Sequence, residues 1–399
     1  MPDQKIYISG MGCLTPFGAA VSDLAAALEG KTSALELQDL PAVCRLAKSP
    51  LGSIGDFSDM LAAYVKPNQR RKMSRLSRMT VVAAGLALKS AGLLQHTDDH
   101  TGITFGTAFG STGQSETFFM DFLQHGSAMV NPGLFPETVP NAPAGQISIV
   151  FGLKGPSATI CQQNLSGEIA LLQARDMLAA GMARRMLVVS AEELCPALLK
   201  GFDALGLLKR PAEFTESGIK LSRRTALGEA AVAILIETAD SLAERKGAPL
   251  AVLSDIAVRG GGVWPASYGA ISDDLANAFA RINSRHPIQV ESVIAGGTFI
   301  DRVDRPHFAW LREHLAEKTD LLVPEFATGN VLGAGLLRIV TGILQLQGNN
   351  IATAPLVGHG LPETINLDTF YQQTSSSPSS VLTSALAAGG GAGMVLLSR

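Results

Sequence analysis

The segment EAAVAILIET (229–238) is apolar on both of the faces that a strand would present, with none of the in–out alternation of a sheet that has one wet side. Such a strand needs cover on both faces. Others repeat the demand: KIYISGMG (5–12), TGITFGTAFG (101–110), RMLVVSAEE (185–193), LAVLSDIAV (250–258), VESVIAGG (290–297), LLVPEF (321–326) and GMVLLS (393–398). Between them lie helical patterns: VSDLAAALEG (21–30), the basic stretch 69–94, SGEIALLQARDMLAAG (166–181) and VLGAGLLRIVTGILQLQ (331–347). Ala170, Leu171, Ala174, Met177 and Leu178 share one helical face. Strands alternating with helices give an α/β protein with parallel or mixed sheets covered on both sides. The small side chains of its helices suit a middle layer between two sheets. A charged run, ADSLAERKGAP (239–249), marks the join of two halves, and TSSSPSS (374–380) reads as a surface loop.

Composition narrows the function. The 399 residues are 46% apolar and 17% charged, which excludes a disordered chain. Lys and Arg number 32 against 35 Asp and Glu, a net charge of −3, so no surplus of positive charge exists to displace phosphate counterions and nucleic acid is not the expected partner. The scarcity of charge points instead to surface covered by another subunit. Cys13, Cys44, Cys161 and Cys195 have no zinc spacing and read as reduced thiols. With no leader pattern and no apolar run of membrane-spanning length, a cytoplasmic protein without a membrane span is expected.

Most candidate motifs have an ordinary structural explanation. The histidines at 96, 100, 125, 286, 307, 314 and 359 lack metal-ligand spacing. His307 and His314 fit one helix face, with surface or interface packing the better reading than ligation. GTAFGSTG (106–113) and GGGAG (389–393) lack phosphate-loop spacing, so their glycines read as close backbone approaches. No metal or cofactor site is expected. Arg70, Arg71, Lys72, Arg75 and Arg78 form the one concentrated basic patch, a solvated helix entry or a dock for an acidic partner.

The informative segment is 151–181. The strand ATICQ meets a long helix through QNLSG, an elbow that sets one side chain at a helix N-terminus, where an anion or oxyanion is favoured. The tip residue is Asn164, which cannot attack an acyl group. A shift of one residue puts Gln163 there, with the same result. Cys161 reads as a buried, inert thiol inside the strand, and Ser166 has no evident base.

With these motifs the chain resembles the β-ketoacyl synthase family of the thiolase superfamily from residue 5 to residue 398. KIYISGMGCLTPFG (5–18), RRKMSRLSRMTVVAAGLALKSAGL (70–93), the segment 155–193, GEAAVAILIE (228–237), GNVLGAG (329–335) and GGGAGMVLL (389–397) carry the resemblance. It implies a five-layered αβαβα fold of two duplicated halves, 1–245 and 246–399. It also implies catalytic positions, and these are degenerate: Asn164 for the nucleophilic Cys, Gly296 and Asn330 for two His, and Ala388 for a gating Phe. Asp304 retains the family's Asp. Condensation needs a thiolate and imidazole donors. No catalytic residue is therefore expected, and no histidine in the aligned windows.

The resemblance then implies a chain-length factor of a type II polyketide synthase, paired as a heterodimer with an active ketosynthase and served by acyl carrier protein, which would dock near Arg70, Arg71 and Lys72. An aryl polyene-type pathway is one setting. Phe118, Phe119, Met120 and Phe122 would line a tunnel at the subunit interface, with Gly133 and Leu134 setting its depth. Ordinary core packing is the simpler reading of the Phe cluster. The alternative functions are a malonyl-carrier-protein decarboxylase using Asn164 or Gln163, and an acyltransferase using Cys161.

Overall fold

The computed structural model describes residues 5–94, 99–260, 269–286, 290–316, 318–355, 361–372, 377–387 and 390–399, without the side chains of 269–272 and 355. His96, His359, Ala388 and Gly389 lie outside the described residues.

Eleven strands join in one hydrogen-bonded ladder that contains the same arrangement twice. In the first half the order is Ile6–Leu14, Ala230–Thr238, Arg185–Glu192, Thr101–Gly106, Ser157–Ile160. In the second it is Ala251–Arg259, Ala392–Ser398, Ser380–Leu386, Ser292–Ala295, Asp320–Leu322, with the short strand Ala354–Pro355 beyond it. In chain order each half reads first, fifth, fourth, second, third. The last three strands of each series are parallel, and the fifth is antiparallel to both of its neighbours. The two first strands meet antiparallel, with Ile6 opposite Leu253 and Ile8 opposite Ala251.

Helices cover both faces, as the uniform apolar strands require. Arg75–Ser90 packs on the outer face of the first half, and Gly269–Arg285 on that of the second. Ser166–Ala179 and Leu336–Leu346 form the middle layer, each touching strands of both halves. Three apolar cores fill the spaces between the layers. This is the five-layered thiolase-like architecture. The strand Ala230–Thr238 is buried at every residue, in agreement with its sequence. Ala170, Leu171, Ala174 and Leu178 are at most 1% exposed, so the expected helix face is the face that packs. Where the two middle helices begin, Gly167 abuts Gly335, and a Cβ on Gly167 would lie 2.8 Å from the Gly335 nitrogen. Small residues thus let the middle layer close, as the composition of its helices predicts.

Three sequence expectations need correction. The last middle-layer helix begins at Leu336, because 331–335 form the turn that reaches it. LLVPEF gives only a three-residue strand, Asp320–Leu322, and Pro324 then starts the helical turn Glu325–Thr328. The strand before the elbow ends at Ile160, which leaves Cys161 outside it and exposed.

Candidate functional site at the elbow

The elbow lies between the edge strand Ser157–Ile160 and the helix Ser166–Ala179. Gln163 adopts φ 49°, a left-handed conformation that non-glycine residues rarely take. Its chain neighbour Asn164 is half-buried and follows it in a single 3₁₀ turn. Ser166 pins the turn: its Oγ donates to the Thr107 carbonyl at 2.8 Å and accepts from the Gln162 N–H at 2.9 Å. A hydroxyl so committed is a structural strut, not a nucleophile. Cys161 is exposed, yet partial burial and then Glu192 hold its thiol above its ordinary value, which disfavours the reactive thiolate.

Beneath the elbow sits a charged cluster that sequence reasoning missed. Arg338, on the second middle helix, donates to Glu168 Oε1 at 2.5 Å, to Glu325 Oε1, and to the Asn164 carbonyl at 3.4 Å. All three charged residues are buried. Burial pushes the Glu325 carboxyl up against the pull of Arg338. The same guanidinium flanks Gly296, where a Cβ would lie 3.3 Å from Arg338 Nη1. Two of the three positions that the resemblance aligns with catalytic residues, Asn164 and Gly296, therefore lie against Arg338. The third, Asn330, is buried and turned to Thr225, donating from Nδ2 to Oγ1 at 3.1 Å.

His307 also corrects the sequence reading. Surface or interface packing was expected, yet this side chain is 1% exposed and sits beside Gly296, with Nε2 2.8 Å from Ser384 Oγ and a hydrogen bond to the Gly296 backbone. A histidine thus approaches the aligned position Gly296 from helix Asp301–His314 rather than from the aligned turn. Burial, then Arg338, lowers its pKa to about 3, so the ring is neutral, with Nε2 engaged by Ser384. The helical spacing to Asp304 was visible in sequence; the approach of Ser384 and Gly296 was not. Asp304 braces the turn, accepting from the Thr298 N–H at 2.9 Å and Oγ1 at 2.7 Å, and burial raises it to about 7.

Glu192 completes the floor. It accepts from the backbone N–H of Ala108 at 2.7 Å and of Phe109 at 3.2 Å, so the glycine turn after Gly106 is anchored by a carboxylate. The glycines there make close approaches, Gly106 against Ser166 and Gly113 against Glu193. Burial raises Glu192 to about 8, above its ordinary 4.5. The folded state then binds more protons than the unfolded state between these values, so this group makes stability fall as pH rises from about 4.5 to about 8. Glu192→Gln should flatten that limb in urea titrations between pH 5 and 8.5, whereas an unchanged slope would discount the shift.

The tunnel candidates form a separate surface feature. Phe118 and Phe135 rings lie 5.6 Å apart, and Gln114 reaches the Leu134 carbonyl at 3.4 Å, so helix Thr112–His125 and the turn Pro132–Glu137 come together. Core packing of this cluster is excluded, because no residue of the helix is buried. Phe119, Met120 and Phe122 are exposed, Phe118 and Leu134 half-buried, and Gly133 exposed. Leu123, Met129, Phe135, Val139 and Ile149 extend the exposed apolar face along the chain toward Ser157–Ile160. That strand pairs on one side only, with Thr101–Gly106. Exposed apolar side chains and an open strand edge are both features found on association surfaces. Arg70 and Arg71 line a cavity elsewhere; Lys72 is exposed and does not line it. Among the described residues no cluster of side chains suits a metal ion, and no helix is long and apolar enough to cross a membrane.

The layered fold and the elbow at the head of its middle helix define a ketosynthase-type scaffold. The chain matches the family described as β-ketoacyl synthase, N-terminal domain, over residues 3–241, and it belongs to the β-ketoacyl synthase family. A 3-oxoacyl-[acyl-carrier-protein] synthase 2 of Vibrio harveyi is 26% identical over 387 residues, spanning 92% of this chain and 89% of its own length. Among solved structures, a β-ketoacyl synthase from Burkholderia phymatum STM815 superposes with a TM-score of 0.83 at 22% identity, covering 99% of each chain. The ishigamide ketosynthase/chain length factor reaches 0.83 at 17% identity with the same coverage.

Proposed function

We propose that this chain is a non-catalytic chain-length factor that pairs with an active ketosynthase and shapes the channel for chains borne on a carrier protein. One observation carries the reading: the elbow offers Asn164 in place of a nucleophile, and the Glu168–Arg338–Glu325 cluster lies against it. Acyl transfer needs a thiolate or alkoxide beside preorganised donors. Here the nearest guanidinium is neutralised by two carboxylates, and the neighbouring His307 is buried with its Nε2 engaged by Ser384. The exposed face from Phe119 to Ile149 supports a subunit partner, and its Phe118, Phe119, Met120, Phe122, Gly133 and Leu134 are the proposed channel residues. Residues 1–245 and 246–399 are the proposed halves, linked just after helix Ala239–Glu244. A carrier protein and a polyketide or aryl polyene product belong to the same proposal.

Co-expression with the cognate ketosynthase should yield a 1:1 complex in which Phe118→Ala or Leu134→Trp shifts product length while leaving assembly intact. A homodimer that ignores the ketosynthase would refute the reading. Turnover of malonyl-carrier protein by the purified chain would favour the decarboxylase alternative, for which the engaged His307 leaves no evident enolate donor.

A further inference from the structure

Residues between 55 and 78 line a cavity of about 490 Å³, among them Arg70, Arg71, Arg75 and Arg78 and the apolar Phe57, Leu61 and Pro67. Its volume falls in the range of small-molecule pockets. The four cations are unevenly used. Arg75 is bound to Glu229 at 2.8 Å and to the Ile54 carbonyl at 2.9 Å, and covers the Phe57 ring. Arg70 makes one long contact, 3.4 Å, to the Ser58 carbonyl. Arg78 buries its Nε with no hydrogen-bond partner among the described residues. A buried donor without a partner is costly; because this Nε has almost no accessible surface, a molecule in the cavity would meet other atoms of Arg78.

Two further features agree. Helix Arg75–Ser90 begins with Arg75 and Arg78 and has no acid in its first turn, so both cations oppose the helix dipole instead of complementing it. The acidic lining residue, Asp56, accepts from Ser58, at 2.9 Å from its N–H and 2.6 Å from its Oγ, which holds its carboxyl below the usual range. Among the described residues it takes no hydrogen bond from the arginines. Positive charge is left in excess around a pocket that also has apolar lining residues.

We infer that this cavity binds a small phosphorylated organic molecule, its phosphate held by Arg70, Arg71 and Arg78 and its apolar part against Phe57 and Leu61. Planar guanidinium groups suit phosphate oxygens. The inference does not rest on the chain-length reading, since it concerns the outer face of the first half and not the elbow.

Phenyl phosphate is the probe, titrated calorimetrically into the purified protein, as the complex if it purifies as one. Saturable binding below 1 mM (on the order expected for a pocket of this size) should persist in 150 mM NaCl (roughly the physiological ionic strength). Arg71→Gln and Arg78→Gln should each weaken it about tenfold or more, the equivalent of one charge-assisted contact, and phenol should not bind. Arg71 is exposed, so its variant keeps the test alive if Arg78→Gln fails to fold. Absence of saturable binding, its loss on adding salt alone, or indifference to both variants overturns the inference. Binding confined to a carrier protein, with phenyl phosphate inert, overturns it equally while leaving the chain-length reading standing.

Discussion

Arg338→Met should cost about 3–5 kcal/mol of stability, the loss typical when one partner is removed from a buried charge network. The guanidinium is 4% exposed and holds two carboxylates that have little other support. Without it, Glu168 and Glu325 must stay charged in an apolar layer or take up protons that cost free energy near neutral pH. The triple variant that adds Glu168→Gln and Glu325→Gln should recover much of the loss, because uncharged side chains carry no such penalty. Urea denaturation of the parent, Arg338→Met and the triple variant distinguishes the outcomes. If Arg338→Met alone melts like the parent, the cluster is not the keystone of the middle layer.

A second large effect is expected at the exposed face. Phe119→Asp or Ile149→Asp should weaken association with the proposed ketosynthase partner at least a hundredfold, about 3–4 kcal/mol, in the range of central interface anchors. Phe119 is 62% and Ile149 68% exposed, so neither change should lower the melting temperature of the isolated chain by more than a degree or two. Size-exclusion chromatography with light scattering reads assembly, and calorimetry reads stability. Unimpaired assembly would move the interface elsewhere. A parallel fall in stability would mean that the face packs within the chain.

Much of this was legible before any coordinates. Strands such as Ala230–Thr238 announce burial on both faces because local composition and layer position coincide. The elbow is equally local: a strand, a tight turn and a helix within about fifteen residues. What the sequence hides is convergence between distant segments. Glu168, Glu325 and Arg338 lie in three separate stretches and look, one at a time, like ordinary helix residues. His307 was judged by its spacing to His314, whereas Ser384 and Gly296 decide its role. Cys161 was misplaced because the strand stops one residue earlier than its apolar pattern implies. Ala388, which the resemblance aligns with a gating Phe, lies outside the described residues.

The abutting glycines at 167 and 335 have an evolutionary consequence. Because helix Ser166–Ala179 helps wall the second half and Leu336–Leu346 helps wall the first, the repeats are not two lobes that could drift apart in sequence. A catalytic residue at the rim can be lost without disturbing its neighbours, but a methyl group added at the centre would pry open both sheets at once. Such a scaffold can shed its chemistry long before it can shed its shape.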